Sequence, residues 1–309
     1  MALLARTADR LYWGARYTER AEDTARIVRA YNDLVVDSPS VLRWEPLAVI
    51  AGSNVELPIP EDDPEGERTV LRHLIADRAN PSSVRSAVTS ARENLRTTRE
   101  VLPREAWQSV NQLSQYVDAT AGPAVERQLR DRFLVRVIET SRRLDGVLES
   151  TMTRANPYRM FRLGRLVERA DMTTRVLGVA AAGILSETDR EALVADEVRW
   201  MSVLRSVSAL QMYQRATHGP IDGIAVVRFL LGYSAFPRSV QGCFDAIRTV
   251  LLALPEPQDV IVALTEAEEA LAVSDPRDTE GAELDRAMDQ VQVAIARLHD
   301  AIVGRYVDV

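Results

Sequence analysis

The sequence predicts an all-α protein, a multi-helix bundle built from two related halves. Apolar residues recur at helical spacing along almost the whole chain of 309 residues, and no segment alternates apolar and polar residues as a half-buried strand would. The sequence also repeats part of itself. Helices are expected over residues 5–36, 66–78, 81–102, 103–120, 123–150, 157–185, 187–215, 220–232, 237–254, 257–273 and 280–306.

A single domain over residues 1–309 is expected, with one long irregular connection at 37–67. Five prolines and an acidic cluster interrupt the helical pattern there, apart from a short helix expected near Glu45 to Ala51. Long connections inside a compact domain often serve as lids or partner contacts. A simple surface crossover is the alternative, and we favour it.

Internal duplication is the clearest sign of organisation. A shift of 149 residues places RYTERAEDTARIV, which starts at Arg16, over RLVERADMTTRVL, which starts at Arg165. A second pair, NPSSVRSAVTSAR and FPRSVQGCFDAIR, follows in the same order. We therefore expect two related halves, about 1–150 and 151–309.

Prolines mark where several helices are expected to begin. Pro81, Pro157 and Pro237 each suit a first helical turn, because proline lacks an N–H that would have no partner there and its φ is already suitable. Asn80 and Asn156 precede two of them and are expected N-caps.

The turn after Pro237 carries a second hypothesis. Free N–H groups in a first helical turn attract anions, and Arg238 and Ser239 follow the proline directly. Arg238 and Ser239 are therefore candidate anion-binding residues, with helix capping as the favoured alternative.

The first predicted helix carries charged residues in the middle of an apolar face. The charged members of this face are Arg16, Glu19, Arg20 and Asp23. Because the opposite face is also apolar, we expect a central helix whose charges are at least partly buried. Solvent is expected to reach only a narrow strip, formed by Glu22, Arg26 and Arg29.

The second copy of the motif repeats this arrangement with Arg165, Glu168 and Arg169. If the two helices pack together, each glutamate can pair with two arginines of the other copy. The expected pairs are Glu19 with Arg165 or Arg169, and Glu168 with Arg16 or Arg20. Reciprocal pairing is expected because an unpaired buried charge costs several kcal/mol.

Two interpretations of this cluster stay open, and the first is favoured. The ion pairs form a polar network that fixes helix register, or the arginines line a pocket for a carboxylate or phosphate. A general acid or base role for either glutamate is least favoured. The candidate anion- or substrate-binding residues are Arg16, Glu19, Arg20, Arg165, Glu168, Arg169, Arg238 and Ser239.

Composition excludes several classes of function. The net charge of −7 argues against a broad nucleic-acid or membrane surface. All 38 basic residues are arginine, so phosphate-loop and Schiff-base mechanisms, which need a lysine ammonium group, are excluded. No stretch is long and apolar enough for a membrane span and no secretory leader is recognised, so a cytoplasmic protein is expected.

The residues that commonly bind metals or act as nucleophiles are few. The histidines at positions 73, 218 and 299 are far apart and are expected at the surface or at helix caps. Cys243 is the single cysteine and is expected in the core. Neither a metal site nor a cofactor is expected.

Four segments of the chain carry a family resemblance. They are TADRLYWGARYTERAEDTAR, ARENLRTTREVLPREAWQSVNQL, RLGRLVERADMTTRVL and FLLGYSAFPRSV. Together, from about residue 3 to 305, they resemble the bacterial alpha-E family, long regarded as a domain of unknown function. Two features depart from the family pattern: Ala15 stands where glycine is usual, which Gly164 keeps in the second copy, and the last segment lacks the usual Asp-Pro before Phe-Pro.

The resemblance implies an all-helical fold and a functional context. Members of the family tend to be encoded with, or fused to, a circularly permuted ATP-grasp ligase and a transglutaminase-like cysteine protease. The resemblance assigns no catalytic residues. We therefore expect a helical accessory module that binds the ligase or presents an anionic peptide-like substrate to it. The alternatives are a stand-alone enzyme acting on a carboxylate or acyl-phosphate intermediate, which is less favoured, and a purely structural homo-oligomer.

Overall fold

The computed structural model describes residues 5–37, 44–52, 57–60, 63, 66–182, 190–273 and 282–307. Over these residues the chain is all-α, with thirteen α-helices and no strand. The helices are α1 (Ala5–Asp37), α2 (Glu45–Ile50), α3 (Glu67–Leu71), α4 (Val84–Arg96), α5 (Arg104–Thr120), α6 (Arg127–Thr151), α7 (Asn156–Ala182), α8 (Arg190–Ser206), α9 (Leu210–Thr217), α10 (Gly223–Gly232), α11 (Val240–Leu251), α12 (Gln258–Val273) and α13 (Ala282–Tyr306). A π-helical turn, Arg72–Ala76, extends α3, and a 3-10 turn, Pro123–Val125, precedes α6.

The predicted fold class is confirmed, and most predicted helices agree with the observed ones to within a few residues. The prediction over 5–36 matches α1, and the prediction over 257–273 matches α12. The short helix expected inside the 37–67 connection is α2. Much of the rest of that connection, and the predicted helix ends within 183–189, lie outside the described residues.

The single helix predicted over 187–215 is wrong, because the chain forms two helices, α8 and α9. Ser208 lies between them with a φ of 55°, in the left-handed region. The N–H of Ala209 donates to the carbonyl of Leu204 at 2.7 Å and closes the end of α8. Glycine or asparagine usually marks such an end, so a serine in this position left no signal in the sequence.

Two helix starts were predicted three residues too early. The N-caps of α4 and α11 are Ser83 and Ser239, whose hydroxyl oxygens accept first-turn N–H groups at 3.1 and 2.9 Å. Pro81 and Pro237 therefore lie in the turns before these helices, and Asn80 is not the N-cap of α4. The third start was predicted more closely, since α7 begins one residue before its proline.

Helix α1 is central because it is apolar on two opposite sides. Leu11, Ala25 and Val28 on one side, and Tyr12 and Ile27 on the other, are each at most 5% exposed. It packs against α4, α6, α7 and α8, while α5 covers α4 and α6. Helix α7 packs in turn against α11 and α13, which α12 covers. This arrangement places α1 and α7 side by side in the interior, whereas the internal duplication itself stays a prediction.

Helices α1 and α7 approach each other closely at Gly164. A Cβ atom there would lie 2.2 Å from the carbonyl oxygen of Tyr12 and 3.1 Å from the Cβ of Ala15. A backbone carbonyl in a helix cannot move aside, so the residue at this position must be glycine for the helices to pack at this distance. The methyl group of Ala15 is accommodated because it faces the glycine.

Candidate functional site

Helices α1 and α7 place their charged residues opposite each other. Glu19 of α1 and Glu168 of α7 are both fully buried. Two arginines of the opposite helix bind each carboxylate, so the predicted reciprocal pairing is confirmed. We call Glu168, Arg16 and Arg20 the Glu168 side, and Glu19, Arg165, Arg169 and Arg238 the Glu19 side.

On the Glu168 side, two arginines share one carboxylate. Nε of Arg16 lies 2.7 Å from Oε2 of Glu168. Arg20 binds as a fork, with Nε 2.5 Å from Oε1 and Nη2 3.1 Å from Oε2. The Arg20 side chain is 19% exposed, against 14% for Arg169 on the Glu19 side. Asp171 of α7 adds a further negative charge that acts on both arginines.

On the Glu19 side, three arginines converge on one carboxylate. Arg169 forms the equivalent fork, with Nε 2.8 Å from Oε1 and Nη2 3.1 Å from Oε2. Nε of Arg165 lies 2.6 Å from Oε2. Arg238, in the turn before α11, places Nη1 3.0 Å from Oε1. The last contact brings the candidate Arg238 into the same cluster as the motif residues.

Further acidic residues balance the third arginine. Oδ1 of Asp23 lies 3.0 Å from Nη1 of Arg238 and 2.5 Å from Nη2 of Arg26. The carboxylate of Glu22 lies 3.2 Å from Nη2 of Arg26 and 3.4 Å from Nη2 of Arg165. The Glu19 side is therefore a continuous network of alternating charges.

The expectation that Glu22 and Arg26 face solvent is wrong. Glu22 is fully buried and Arg26 is 4% exposed, whereas Arg29 is exposed as expected. Arg142 of α6 and Arg238 both reach Glu22 from outside α1. The periodicity of α1 alone does not reveal these covering groups, because they come from distant parts of the chain.

Both central glutamates are ionised near neutral pH. Burial alone would raise the pKa of Glu168, but Arg20 and Arg16 outweigh burial and lower the pKa to about 2. Burial acts on Glu19 in the same way, and its three arginines hold its pKa well below the usual range. A carboxylate with so low a pKa is a weak base, so neither glutamate suits general acid–base catalysis.

Asp23 has the opposite electrostatic balance. Burial raises its pKa to about 6, because attraction to Arg26 and Arg238 only partly offsets desolvation and repulsion by Glu19. Its Oδ2 atom is buried without a hydrogen-bond partner in the described part of the chain. Asp23 therefore changes its protonation in mildly acidic solution.

Aromatic residues surround the edge of the Glu168 side that reaches the surface. The guanidinium carbon of Arg16 lies 5.2 Å from the ring centroid of Trp13, and that of Arg20 lies 5.6 Å from the ring centroid of Tyr17. The rings of Trp13 and Tyr17 stack with centroids 5.6 Å apart, and both are partly exposed. This edge combines partly exposed aromatic surface with positive charge.

His299 of α13 also lies at this edge, which corrects the expectation of a surface or capping residue. Its ring stacks on Tyr12 at a centroid distance of 5.5 Å, and its Nδ1 lies 2.8 Å from the Tyr12 hydroxyl oxygen. Burial, assisted by the charge of Arg16, lowers the pKa of His299 to about 4, so the ring is neutral near pH 7. By contrast, His218 is exposed at the C-cap of α9, as expected.

The groups proposed for an anion site before α11 already have partners within the chain. The Ser239 hydroxyl caps α11 and donates to the carbonyl of Tyr233 at 2.7 Å. The Arg238 guanidinium contacts Glu19 and Asp23. Binding of an external anion by Arg238 and Ser239 stays a prediction.

Few other groups in the described structure suggest chemistry. Cys243 is fully buried, as expected, and burial raises the pKa of its thiol to about 12, so it stays protonated. The described residues contain no group of three His, Cys, Asp or Glu side chains placed to hold a metal ion. None of the described helices combines the length and apolar character needed to cross a membrane.

The fold and the cluster define a class of protein: an all-α bundle whose two central helices are joined by reciprocal glutamate–arginine pairs. The family model of Alpha-E, a predicted alpha-helical domain with a conserved ER motif, matches residues 3–307. The chain belongs to the Alpha-E family. No curated protein and no solved structure shows a significant match to it.

Proposed function

We propose that this protein is a helical binding module of an ATP-grasp amide-ligase system, without a catalytic centre of its own. The observation that carries the proposal is the saturation of the buried cluster. All four carboxylate oxygens of Glu19 and Glu168 accept hydrogen bonds from arginines of the same chain. A site whose charges are used internally supports a structural role better than bond making and breaking.

In this proposal, the ER motif of the family corresponds to the dipeptides Glu19-Arg20 and Glu168-Arg169. Arg20 donates to Glu168 and Arg169 donates to Glu19, so each dipeptide holds the other. A shift of either helix by one turn would leave buried charges unpaired. Each unpaired charge would lower the stability of the fold by roughly several kcal/mol. The motif thereby keeps α1 and α7 in one register and makes the module rigid.

The choice of partner rests on the family resemblance. A circularly permuted ATP-grasp ligase and a transglutaminase-like protease accompany domains of this kind. A rigid all-helical protein suits the presentation of a fixed surface, or of a bound anionic peptide-like substrate, to such a ligase. Self-association into a homo-oligomer is the competing mode of assembly.

Binding to the ligase is tested with purified proteins. The chain is mixed with the ATP-grasp ligase of the same genome and examined by sedimentation velocity, which also detects self-association. A complex at micromolar concentration and a change in the ATP turnover of the ligase are expected. Absence of a complex at these concentrations contradicts the proposal, and self-association in its place supports the structural oligomer.

One observation favours the enzyme alternative. The Glu168 side has a partly exposed Arg20 beside an aromatic edge, which together suit a carboxylate or acyl phosphate. The pocket and network interpretations differ in their expectation for Arg20→Met, which removes the partly exposed arginine of this side. The pocket interpretation expects lost binding of small anions with the fold intact, and the network interpretation expects a large loss of stability, which thermal unfolding measures.

A further inference from the structure

A groove of about 810 Å³ lies between the first turns of α1 and the turn that follows α4. Arg6, Arg10, Arg96 and Arg99 line it, together with Glu100. Clustered arginines are notable in a protein of net charge −7. The groove is therefore a local region of positive charge on an acidic protein, separate from the buried cluster.

At two positions of the groove, the arginines have no carboxylate partner among the described residues. Arg6 is exposed and forms no hydrogen bond or ion pair with the rest of the described chain. Nε of Arg99 donates to the carbonyl of Arg96 at 3.0 Å, which leaves its two terminal nitrogens free to bind a ligand. The guanidinium of Arg99 also lies 5.3 Å from the ring centroid of Trp107, which helps to orient it.

The other two arginines are held in place and only partly neutralised. Nη1 of Arg10 donates to Oδ1 of Asn94 at 3.1 Å and so ties α1 to α4. The nearest carboxylate oxygen of Asp9 lies 3.8 Å from Nε of Arg10, too far for a hydrogen bond. Arg96 pairs through Nε with Glu93 at 2.9 Å, and both side chains are about half exposed, so solvent weakens this pair.

The last carbonyl groups of α4 do not compete strongly with a ligand for these arginines. The last carbonyls of a helix carry partial negative charge and attract cations. Here the hydroxyl of Thr97 donates to the carbonyl of Asn94 at 2.9 Å, and the hydroxyl of Thr98 donates to that of Leu95 at 3.3 Å. The positive charge of the groove is therefore available to a ligand.

We propose that this groove binds a small phosphate-bearing anion, with Arg6 and Arg99 as its main charge partners. A phosphate group has oxygens in several directions and up to two negative charges, so it can accept hydrogen bonds from arginines on both walls. A single carboxylate has one charge and two coplanar oxygens. The volume of the groove accommodates a ligand larger than one phosphate group, and the site is independent of the ligase-binding proposal.

Calorimetric titration of the full chain with inorganic pyrophosphate at low ionic strength tests the site. Saturable binding is expected, weakened by about tenfold or more in the double variant Arg6→Gln/Arg99→Gln, which removes two charge-assisted contacts. Both side chains are exposed, so the variant is expected to keep the thermal unfolding midpoint of the parent.

The matched control is Arg132→Gln/Arg136→Gln. It removes two exposed arginines of α6 that do not line the groove, and it is expected to change the affinity by less than about twofold. Equal weakening in both double variants would show a diffuse charge effect and overturn the site. Absence of saturable binding would also overturn it, and succinate binding as tightly with the same dependence on Arg6 and Arg99 would overturn the phosphate assignment.

Discussion

The Glu19 side and the Glu168 side contain the same residue types at matching positions of α1 and α7, yet a third arginine joins only the first. Three arginines surround Glu19, and the third, Arg238, also contacts Asp23. Two arginines surround Glu168, where the position that matches Asp23 is Met172. A methionine has no charge to attract a further arginine, so among the described residues this carboxylate contacts two arginines.

The difference shows how one substitution in a repeated motif changes a charge cluster. Asp23 adds a negative charge that brings Arg238 over the Glu19 side, at the cost of a buried carboxyl whose pKa is raised to about 6. Met172 is buried without a charge. The Glu19 side is therefore expected to contribute more to stability, and the Glu168 side to be more accessible to a ligand.

Removal of the central carboxylates should give the largest effects. Glu19→Gln leaves one buried and two mostly buried arginines short of negative charge and places amide hydrogens against their donors, so we expect a loss of roughly 3 to 5 kcal/mol in the free energy of unfolding. Glu168→Gln affects two arginines, one of them partly exposed, and should cost roughly 2 kcal/mol. Urea unfolding measures both.

The surface glutamate Glu93 provides the control for this pair. It also contacts two arginines, Arg92 and Arg96, but about half of its side chain is exposed. Glu93→Gln should therefore cost less than about 1 kcal/mol. Equal losses for Glu19→Gln and Glu168→Gln would contradict the distinction between the side with three arginines and the side with two.

The distance between α1 and α7 sets the geometry of both sides at once. Gly164→Ala adds a methyl group that meets the Tyr12 carbonyl, so we expect a loss of roughly 1 to 3 kcal/mol from overpacking. Ala15→Gly, the matched change on α1, creates no clash and should cost about 0.5 to 1 kcal/mol from backbone entropy. Thermal unfolding that ranks these two variants in the reverse order would show that the helices can separate without cost.

The pH dependence of stability should distinguish the two sides more weakly. Between pH 4 and 6, Asp23 binds more protons in the folded chain than in the unfolded chain. Its contribution to the free energy of unfolding therefore falls as the pH rises through its folded pKa of about 6. Folded His299, at the edge of the Glu168 side, has a pKa of about 4 and binds fewer protons than it does unfolded. The contribution of His299 to the free energy of unfolding therefore rises with pH over the same window. The contributions of His299 and Asp23 partly cancel.

Single variants should separate these opposed contributions. In the parent chain, Asp23 should lower the free energy of unfolding by on the order of 2 kcal/mol as the pH rises from 4.5 to 7. The variant Asp23→Asn should lack this decrease. His299 should raise the free energy of unfolding over the same pH range by a smaller amount, because its ring is partly exposed and screened by solvent. The variant His299→Phe should lack this increase. Urea unfolding at several pH values measures both, and difference curves with the same sign for the two variants would refute the assignment.

Much of the site could be predicted because its signals are local. The ER dipeptides recur at a fixed shift, and helical periodicity places each glutamate on the same face as its arginines. The reciprocal pairs of Glu19 and Glu168 follow from these facts and the cost of unpaired buried charge. The sequence did not predict the burial of Glu22 and Arg26, because the residues that shield them from solvent lie on α6 and in the turn before α11.

The role of His299 was also missed, and no nearby residue signalled it. His299 lies 287 residues after Tyr12, to which it is hydrogen-bonded. A lone histidine on an amphipathic helix looks the same in the sequence whether it faces solvent or an aromatic ring. The break at Ser208 was missed for a related reason, since a serine in the left-handed region has no distinctive neighbours.

The sequence by itself determined the all-α fold class, the central position of α1 and the pairing of the two ER dipeptides. These depend on short-range periodicity and on residue charge, both of which can be recognised within short segments of the sequence. Only the tertiary structure decided which side of the cluster gains a third arginine, that this arginine is Arg238, and that Arg6 and Arg99 share a groove. Such contacts join segments far apart in the chain, and their geometry depends on how every intervening helix packs.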